Sequence, residues 1–208
     1  MSVYWDNFYK NLKGNNNPSK FAKFCLKYLK KFPGNIYDAG CGNGRDTIFF
    51  NQKKLNCIGI DQSKKVIGIN KKKNNRFKKN FIKKNFVNFD YSISNDRFAI
   101  YSRFSIHSIN YKQEKKFFNS IKKFKNLEYV FIETRTIYDN LFGKGKRIGK
   151  NEYINTHYRR FINPTEFKRK LAKDFNIIVF KLSKNLAPFK GENPVVLRIV
   201  AKRKKIKK

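Results

Sequence analysis

Residues 36–47 have the sequence Ile36-Tyr37-Asp38-Ala39-Gly40-Cys41-Gly42-Asn43-Gly44-Arg45-Asp46-Thr47. An apolar run leads into an acidic residue, three glycines follow at alternate positions, and a second apolar run begins at Ile48. This order predicts a strand, a tight turn and the first turn of a helix, an arrangement that brings backbone N–H groups close to a ligand. Glycine suits the turn because it adopts positive φ and has no Cβ to collide with a bound group.

A carboxylate that would complete this site is expected at Asp61. Residues 56–60 predict a second strand, which ends at Asp61, about twenty residues past the glycine turn. A carboxylate at that place can accept hydrogen bonds from both hydroxyls of a ribose. The alternative is that Asp61 only caps the next helix, predicted over residues 64–74, a role that Ser63 could also fill.

Strands and helices alternate along the rest of the chain. Asn163, Pro164 and Glu166 are typical of a helix start, and the last two apolar runs predict a closing antiparallel hairpin. The fold class predicted is α/β, a doubly wound Rossmann-like seven-stranded sheet, mostly parallel with an antiparallel C-terminal hairpin strand. Beyond the first two strands, the predicted elements are strands at 86–89, 98–102, 128–132, 176–182 and 194–201 and a helix at 114–124.

Residues 1–208 are long enough for one domain with its own core. Residues 1–35 predict an N-terminal lid and helix, in which an aromatic cluster from Tyr4 either covers the pocket or packs on the sheet edge. Residues 136–162 predict a substrate-side insertion, because long polar segments in compact domains are often functional. Residues 202–208 predict a solvated basic tail.

The charge balance is strongly positive, with 49 Lys and Arg against 14 Asp and Glu, a formal net charge of +35. Such a chain could bind nucleic acid without sequence preference. However, the lysines are spread over the whole chain and accompany many Asn, Ile, Phe and Tyr residues, all of which have A/T-rich codons. A coding bias therefore explains the charge, and nucleic acid is the less favoured partner.

The cysteines and the hydropathy pattern bear on metal binding and localisation. Cys25, Cys41 and Cys57 have neither C-x-x-C nor Cys/His spacing, so no metal site is predicted. Their pattern suits a reducing, cytoplasmic compartment. No stretch is long and apolar enough to span a bilayer, so no membrane partner is predicted.

The D-x-G-x-G-x-G form of residues 38–44 resembles the first motif of class I S-adenosylmethionine-dependent methyltransferases. Together with Asp61-Gln62-Ser63 and Tyr101-Ser102-Arg103-Phe104, the chain resembles the small members found in bacterial glycan and capsule clusters, and more distantly the tellurite-resistance and thiopurine methyltransferases. The resemblance covers residues 4–201. It implies S-adenosylmethionine as the cofactor and methyl transfer as the reaction.

The same resemblance implies which residues bind the cofactor. Asp61 would hold the ribose, and Asp90, which follows the predicted third strand, would contact the adenine amino group unless it is only a turn residue. The cofactor-binding set is Trp5, Asp38, Gly40, Gly42, Gly44, Arg45, Asp61, Gln62, Asp90, Tyr91 and Ser102.

Acceptor chemistry is expected beyond the fourth strand and within residues 136–162. His107 and His157 are the only histidines and are the candidates for catalytic proton transfer, although a lone histidine often has a structural role. Guanidinium groups match phosphate and carboxylate, although most arginines only face solvent. The substrate-binding candidates are Arg103, Arg135, Tyr158, Arg159 and Arg160.

The sequence therefore predicts a methyltransferase that acts on a small-molecule or glycan-precursor acceptor, O-directed and anionic. An RNA methyltransferase and a non-catalytic basic RNA-binding protein on the same fold are the alternatives. Base methylation is disfavoured because Ser102-Arg103-Phe104 stands where many nucleic-acid N-methyltransferases have an N/D-P-P-aromatic sequence.

Overall fold

The structure, a computed structural model, describes residues 4–7, 17–93, 96–189 and 191–205. Residues 4–7 form one helical turn, called here the N-terminal turn. The helices that follow are α1 (Lys20–Leu29), α2 (Arg45–Gln52), α3 (Lys64–Lys73), α4 (Tyr111–Ile121) and α5 (Pro164–Leu171). The strands are β1 (Asn35–Ala39), β2 (Cys57–Asp61), β3 (Phe81–Lys83), β4 (Phe98–Arg103), β5 (Leu127–Arg135), β6 (Lys146–Gly149), β7 (Glu152–Ile154), β8 (Tyr158–Arg160), β9 (Phe175–Ser183) and β10 (Val196–Arg203).

The main sheet has seven strands in the order β3-β2-β1-β4-β5-β10-β9. The first five are parallel, and β10 runs antiparallel to both β5 and β9. The predicted Rossmann-like α/β sheet with an antiparallel hairpin strand is thus confirmed. The chain leaves β1 toward β2 on one side and returns to β4 on the other, so the carboxyl end of β1 lies at the switch point where open α/β sheets bind ligands.

Helices cover both faces of this sheet. On one face, α1 and α2 pack on strand residues such as Ile36 and Phe131, and on the other α4 and α5 pack on residues such as Tyr37 and Ile132. Ile36 and Tyr37 are neighbours in β1 that point to opposite faces, and all five residues of β1 are buried. A parallel central strand that is buried on both faces explains the unbroken apolar run before the glycine turn.

Side-chain caps fix where the helices begin. Asn163 caps α5 by accepting a hydrogen bond from the Glu166 N–H at 3.1 Å, with Pro164 in the first turn, as the sequence predicts. Helix α4 begins three residues earlier than predicted, because Asn110 and Gln113 form a reciprocal capping box with N···O distances of 2.9 and 3.0 Å.

The predicted third strand at residues 86–89 is wrong. The strand is β3, Phe81–Lys83, and Phe86–Asn88 is a 3-10 turn. Strand β3 is short, pairs only with β2 at the sheet edge, and buries one side chain, Phe81. Lysines follow it, so its apolar signal is weak. The stronger apolar run at 86–89 enters the core from a turn instead.

Residues 136–162 contain the small antiparallel sheet β6-β7-β8. Arg160 attaches this sheet to the main domain: its guanidinium forms an ion pair with buried Glu114 and donates to the Ile109 carbonyl at 3.0 Å. At the C-terminus, β10 continues to Arg203, so the strand includes the first two residues of the segment predicted as a tail.

Replacing Arg160 with alanine is expected to lower the free energy of unfolding by about 3 kcal/mol, because Glu114 would keep only Lys170, at 2.5 Å, as a partner for its buried charge. Urea unfolding followed by circular dichroism measures this. Arg97→Ala is the matched control, since Arg97 pairs with Glu128 while 61% exposed, and should cost less than about 1 kcal/mol. Equal effects of the two substitutions would show that Arg160 does not anchor the sheet.

Candidate active site

A cavity of about 530 Å³ lies at the carboxyl ends of the parallel strands. Its walls come from the segments that follow β1, β2, β3, β4 and β5, from the turn between β7 and β8, from the loop before β10 and from the N-terminal turn. The switch point between β1 and β4 is at its base. Of the predicted site residues, the cavity is lined by Trp5, Asp38, Gly40, Gly42, Arg45, Asp61, Gln62, Arg103, His107, Arg135, His157 and Arg159.

The glycine turn has the predicted backbone. Gly40, Gly42 and Gly44 have φ values of 80°, 53° and 73°. A Cβ on Gly40 would lie 2.6 Å from the Cβ of Ser105, so both backbone angle and space require glycine there. Gly44 itself packs against Phe81 rather than the cavity. The turn thus leaves the backbone of Gly40 to Asn43 against the cavity.

Asp61 supports this turn and faces the same cavity. Its Oδ2 accepts from the Gly42 N–H at 3.0 Å and its Oδ1 from the Ser63 N–H at 2.9 Å. The cap of α3 is Ser63, whose Oγ accepts from the Val66 N–H. An ionised carboxylate offers about four acceptor positions, so Asp61 retains acceptor capacity for a bound ligand.

Asp38 is buried at the end of β1. Its Oδ2 accepts from the Thr47 hydroxyl at 2.7 Å. Burial, together with the negative charge of Asp46, raises the pKa of Asp38 to about 8. Asp46 in turn accepts hydrogen bonds from Ser19 and from the Tyr101 hydroxyl, both at 2.7–2.8 Å, which links the start of α1 to the glycine turn. A cationic ligand beside Asp38 would favour its ionised form.

Three predicted cofactor residues besides Gly44 lie outside the cavity lining. Asp90 is exposed, and its Oδ1 accepts from the backbone and hydroxyl of Ser92. Tyr91 is in the core, and Ser102 is buried beneath the cavity with its Oγ 2.5 Å from that of Ser105. Asn85 and Phe86, which follow the true β3, line the cavity instead.

His107 lies at the cavity wall and is 4% exposed. Its Nδ1 is buried and has no hydrogen-bond partner among the residues that the structure describes. Burial lowers the pKa of His107 well below 6.5, and the positive charges of Arg135 and Arg159 lower it further. The ring is therefore neutral at pH 7 and can accept a proton. Phe104 contacts it edge-on, with ring centroids 5.4 Å apart.

His157 lies in the turn before β8 and has a different environment. The Tyr4 ring stacks on it with centroids 4.3 Å apart, and its Nδ1 is 3.0 Å from the Thr156 hydroxyl. Burial and the nearby Arg159 lower the pKa of His157 to about 4.

The predicted arginines divide into paired and unpaired groups. The Arg103 Nε donates to Glu133 at 3.0 Å, and Arg135 forms ion pairs with Asp139 at 2.9 Å and with Glu192. Arg160 points away from the cavity, and neighbouring Tyr158 does not line it either. Arg159 lines the cavity, is half-buried, and has no acidic partner within ion-pair distance among the described residues. Burial and the adjacent Arg135 lower the pKa of its guanidinium.

Several residues of the cavity wall are not among those predicted from the sequence. Phe104 is the most informative, because it adopts a left-handed φ of 54° at the end of β4 and its ring lies against the Arg103 guanidinium at 4.7 Å. A bulky residue in that conformation is uncommon and often marks a functional corner. The other missed wall residues are Tyr4, Cys41, Asn43, Asp46, Asn85, Phe86, Ser105, Ser108, Ile109, Gln113, Thr156, Ala187, Phe189, Glu192 and Pro194.

Part of the cavity lies in a segment that matches a known protein family. The family described as a methyltransferase domain matches residues 36–125, which run from β1 past the end of α4 and include the glycine turn, Asp61 and His107. This match and the fold together support a class I S-adenosylmethionine-dependent methyltransferase. The acidic residues at this end of the methyltransferase cavity, and the free acceptor positions of Asp61, suit a cationic cofactor that carries ribose hydroxyls.

Solved structures share the methyltransferase fold at low identity. The glycopeptide N-methyltransferase MtfA, complexed with S-adenosylhomocysteine, is 13% identical, with a TM-score of 0.67 over 90% of both chains. A methyltransferase from Anabaena variabilis is 18% identical, with a TM-score of 0.67 over 98% of this chain and 95% of that one. TehB from Haemophilus influenzae is 13% identical, with a TM-score of 0.67 over 97% of this chain and 67% of that one. No curated protein matches the methyltransferase by sequence.

Among the described residues of the methyltransferase, no helix combines the length and apolar character needed to cross a membrane. Within the same residues, no group of three or more His, Cys, Asp or Glu side chains is arranged to hold a metal ion.

Proposed function

We propose that the enzyme methylates a hydroxyl oxygen of a small, anionic acceptor, a class that includes carboxylated or phosphorylated glycan precursors. The observation that carries the proposal is the distribution of charge in one cavity. Three aspartates and one arginine, Asp38, Asp46, Asp61 and Arg45, line the part after β1 and β2. His107, three arginines and one carboxylate, Glu192, line the part after β4, β5 and β7. A cationic cofactor fits the first part, and an anionic acceptor fits the second.

The cofactor part can be assigned by chemistry. Asp61 would accept from the ribose hydroxyls, a cationic amino group beside Asp38 would favour its carboxylate, and Asn85 and Phe86 would lie beside the adenine, the position predicted for Asp90. When bound, S-adenosylmethionine supplies an activated methyl group on a positively charged sulfur. The protein must then hold the acceptor oxygen in line with the bond between the sulfur and the methyl group, and remove the acceptor's proton.

His107 fits the role of proton acceptor. A hydroxyl becomes a better nucleophile as it loses its proton, and the neutral imidazole of His107 at the cavity wall can receive it. The acceptor part of the cavity also contains Arg159, whose charge has no acidic partner among the described residues and would favour the developing alkoxide. The imidazolium that forms then returns the proton to solvent as product leaves.

Arg159 fits the role of anion binder. Arg103 and Arg135 are held by carboxylates, so much of their charge is already compensated. Arg159 carries a half-buried charge without such a partner in the described residues, and it lies near Arg135. An anionic group on the acceptor would offset both the burial and the repulsion.

A substrate panel tests the proposed function. Release of S-adenosylhomocysteine would be measured with sugar phosphates, uronic and hydroxy acids, neutral sugars, amines and RNA. Turnover with anionic hydroxyl compounds, and none with their neutral counterparts, is expected. Turnover confined to amines, neutral sugars or RNA would contradict the proposal.

Replacing Arg159 with glutamine is expected to lower kcat/KM for the acceptor about tenfold to a hundredfold, because charged hydrogen bonds contribute roughly 1.5–3 kcal/mol. Cofactor affinity should not change. Arg147→Gln is the control, since Arg147 lies on strand β6 of the same small sheet, is exposed, and does not line the cavity. A similar loss in both variants would show a general effect of charge and not a specific contact.

A further inference from the structure

The N-terminal turn spans the cavity and contacts both of its parts. Tyr4 and Trp5 line the cavity. On the acceptor side, the Tyr4 ring stacks on His157 with an interplanar angle of 25°, and the Trp5 ring meets His157 edge-on with centroids 5.3 Å apart. His157 is therefore the residue of the small sheet on which this turn rests.

The same turn is attached to the cofactor side. The Asp6 carboxylate accepts a hydrogen bond from the Ser63 hydroxyl. Ser63 caps α3, and its backbone N–H donates to Asp61. One helical turn thus joins the residue that holds the ribose site to the turn that precedes Arg159.

We propose that His157 is a positioning residue that holds the N-terminal turn across the cavity and thereby couples cofactor binding to completion of the acceptor site. This inference builds on the proposed function, in which His107 and not His157 takes the proton. The geometry supports a positioning role: one ring face of His157 is stacked on Tyr4 and its Nδ1 faces Thr156.

The coupling has a direction. Cofactor bound at Asp61 stabilises the neighbouring residue Ser63, which is hydrogen-bonded to Asp6. The N-terminal turn is thereby kept in place, with Tyr4 and Trp5 against His157. The acceptor then meets a wall that is already in place. Because coupling between two binding sites is reciprocal, loss of the His157 contact should weaken cofactor binding as well as acceptor binding.

The experiment uses the single tryptophan of the chain, Trp5, as a fluorescent reporter. S-adenosylhomocysteine would be titrated into the wild type, His157→Ala and His157→Phe. We expect a red-shifted emission and a Kd about threefold to tenfold higher for the alanine variant, the factor that an aromatic pair contributes. The phenylalanine variant keeps a ring for Tyr4 and should behave like the wild type. Tyr138→Ala, which removes an exposed ring outside the cavity lining, is the control.

Two results would overturn the proposal. The first is an alanine variant with the emission and Kd of the wild type. The second is a phenylalanine variant that binds S-adenosylhomocysteine normally yet loses turnover as completely as the alanine variant, which would make the imidazole itself the acting group. The emission and Kd do not depend on the acceptor, so an incorrect acceptor class would leave them unchanged and is recognised separately by the substrate panel.

Discussion

Replacing His107 with alanine is expected to lower kcat by about 10²–10⁴-fold, the usual contribution of a positioned general base. Cofactor affinity should remain at the wild-type value, because His107 lies in the part of the cavity that follows β4. His107→Gln fills similar space without a comparable proton affinity and should be as inactive. Single-turnover rates and calorimetric titration with S-adenosylhomocysteine measure the two quantities.

The pH profile distinguishes this role from a structural one. Burial and nearby positive charges lower the pKa of His107 well below 6.5, so the ring stays neutral as the pH falls through 6.5. The rate should therefore be flat through that pH and decrease only in more acidic solution, where the ring takes up a proton. A decrease centred near pH 6.5, or a His107→Gln variant with wild-type kcat, would contradict the assignment.

Replacing Asp61 with alanine is expected to weaken cofactor binding about tenfold to a hundredfold, because hydrogen bonds to a charged group contribute roughly 1.5–3 kcal/mol each. The substitution also removes the contacts to the Gly42 and Ser63 N–H groups, which hold the glycine turn. Calorimetry with S-adenosylmethionine measures the affinity, and circular dichroism confirms that the variant is folded.

Asp90→Ala is the matched control for this prediction. Asp90 is also an aspartate in a connection of the main sheet, between β3 and β4, but it is exposed and bonded to Ser92. It should leave the Kd unchanged. If Asp90→Ala weakened binding while Asp61→Ala did not, the cofactor would lie elsewhere than this geometry indicates.

The central part of the fold was predictable because its signals are local. A buried parallel strand, a turn that needs positive φ, and an acidic residue after the next strand follow one another within residues 36–61. The residue types within this segment are enough to determine the strand, the turn and the acidic residue. The caps at Ser63 and Asn163 are equally local, and both stand where the sequence indicates.

The third strand shows where local signals fail. Strand β3 is a three-residue edge strand with two apolar residues, as many as the 3-10 turn after it, so apolar content does not distinguish the two. Placing the strand too late moved the adenine-side candidate from Asn85 to Asp90. Asn85 follows a short strand that pairs only with β2. Because that pairing belongs to the tertiary structure, the sequence alone does not indicate Asn85.

The roles of the arginines also depended on tertiary structure. Arg103 pairs with Glu133, and Arg160 with Glu114, across 30 and 46 residues of sequence. Arg159 and Arg160 are adjacent in β8, and because neighbouring side chains in a strand point to opposite faces, one lines the cavity and the other anchors the sheet. The left-handed backbone of Phe104 has no sequence signal.

A crystal structure of the enzyme with S-adenosylhomocysteine would show where the cofactor lies. We predict the ribose hydroxyls on Asp61, the adenine beside Asn85 and Phe86, and the sulfur directed toward the space between His107 and Arg159. A ligand whose ribose is bound away from Asp61, or whose sulfur is directed away from His107, would contradict this prediction.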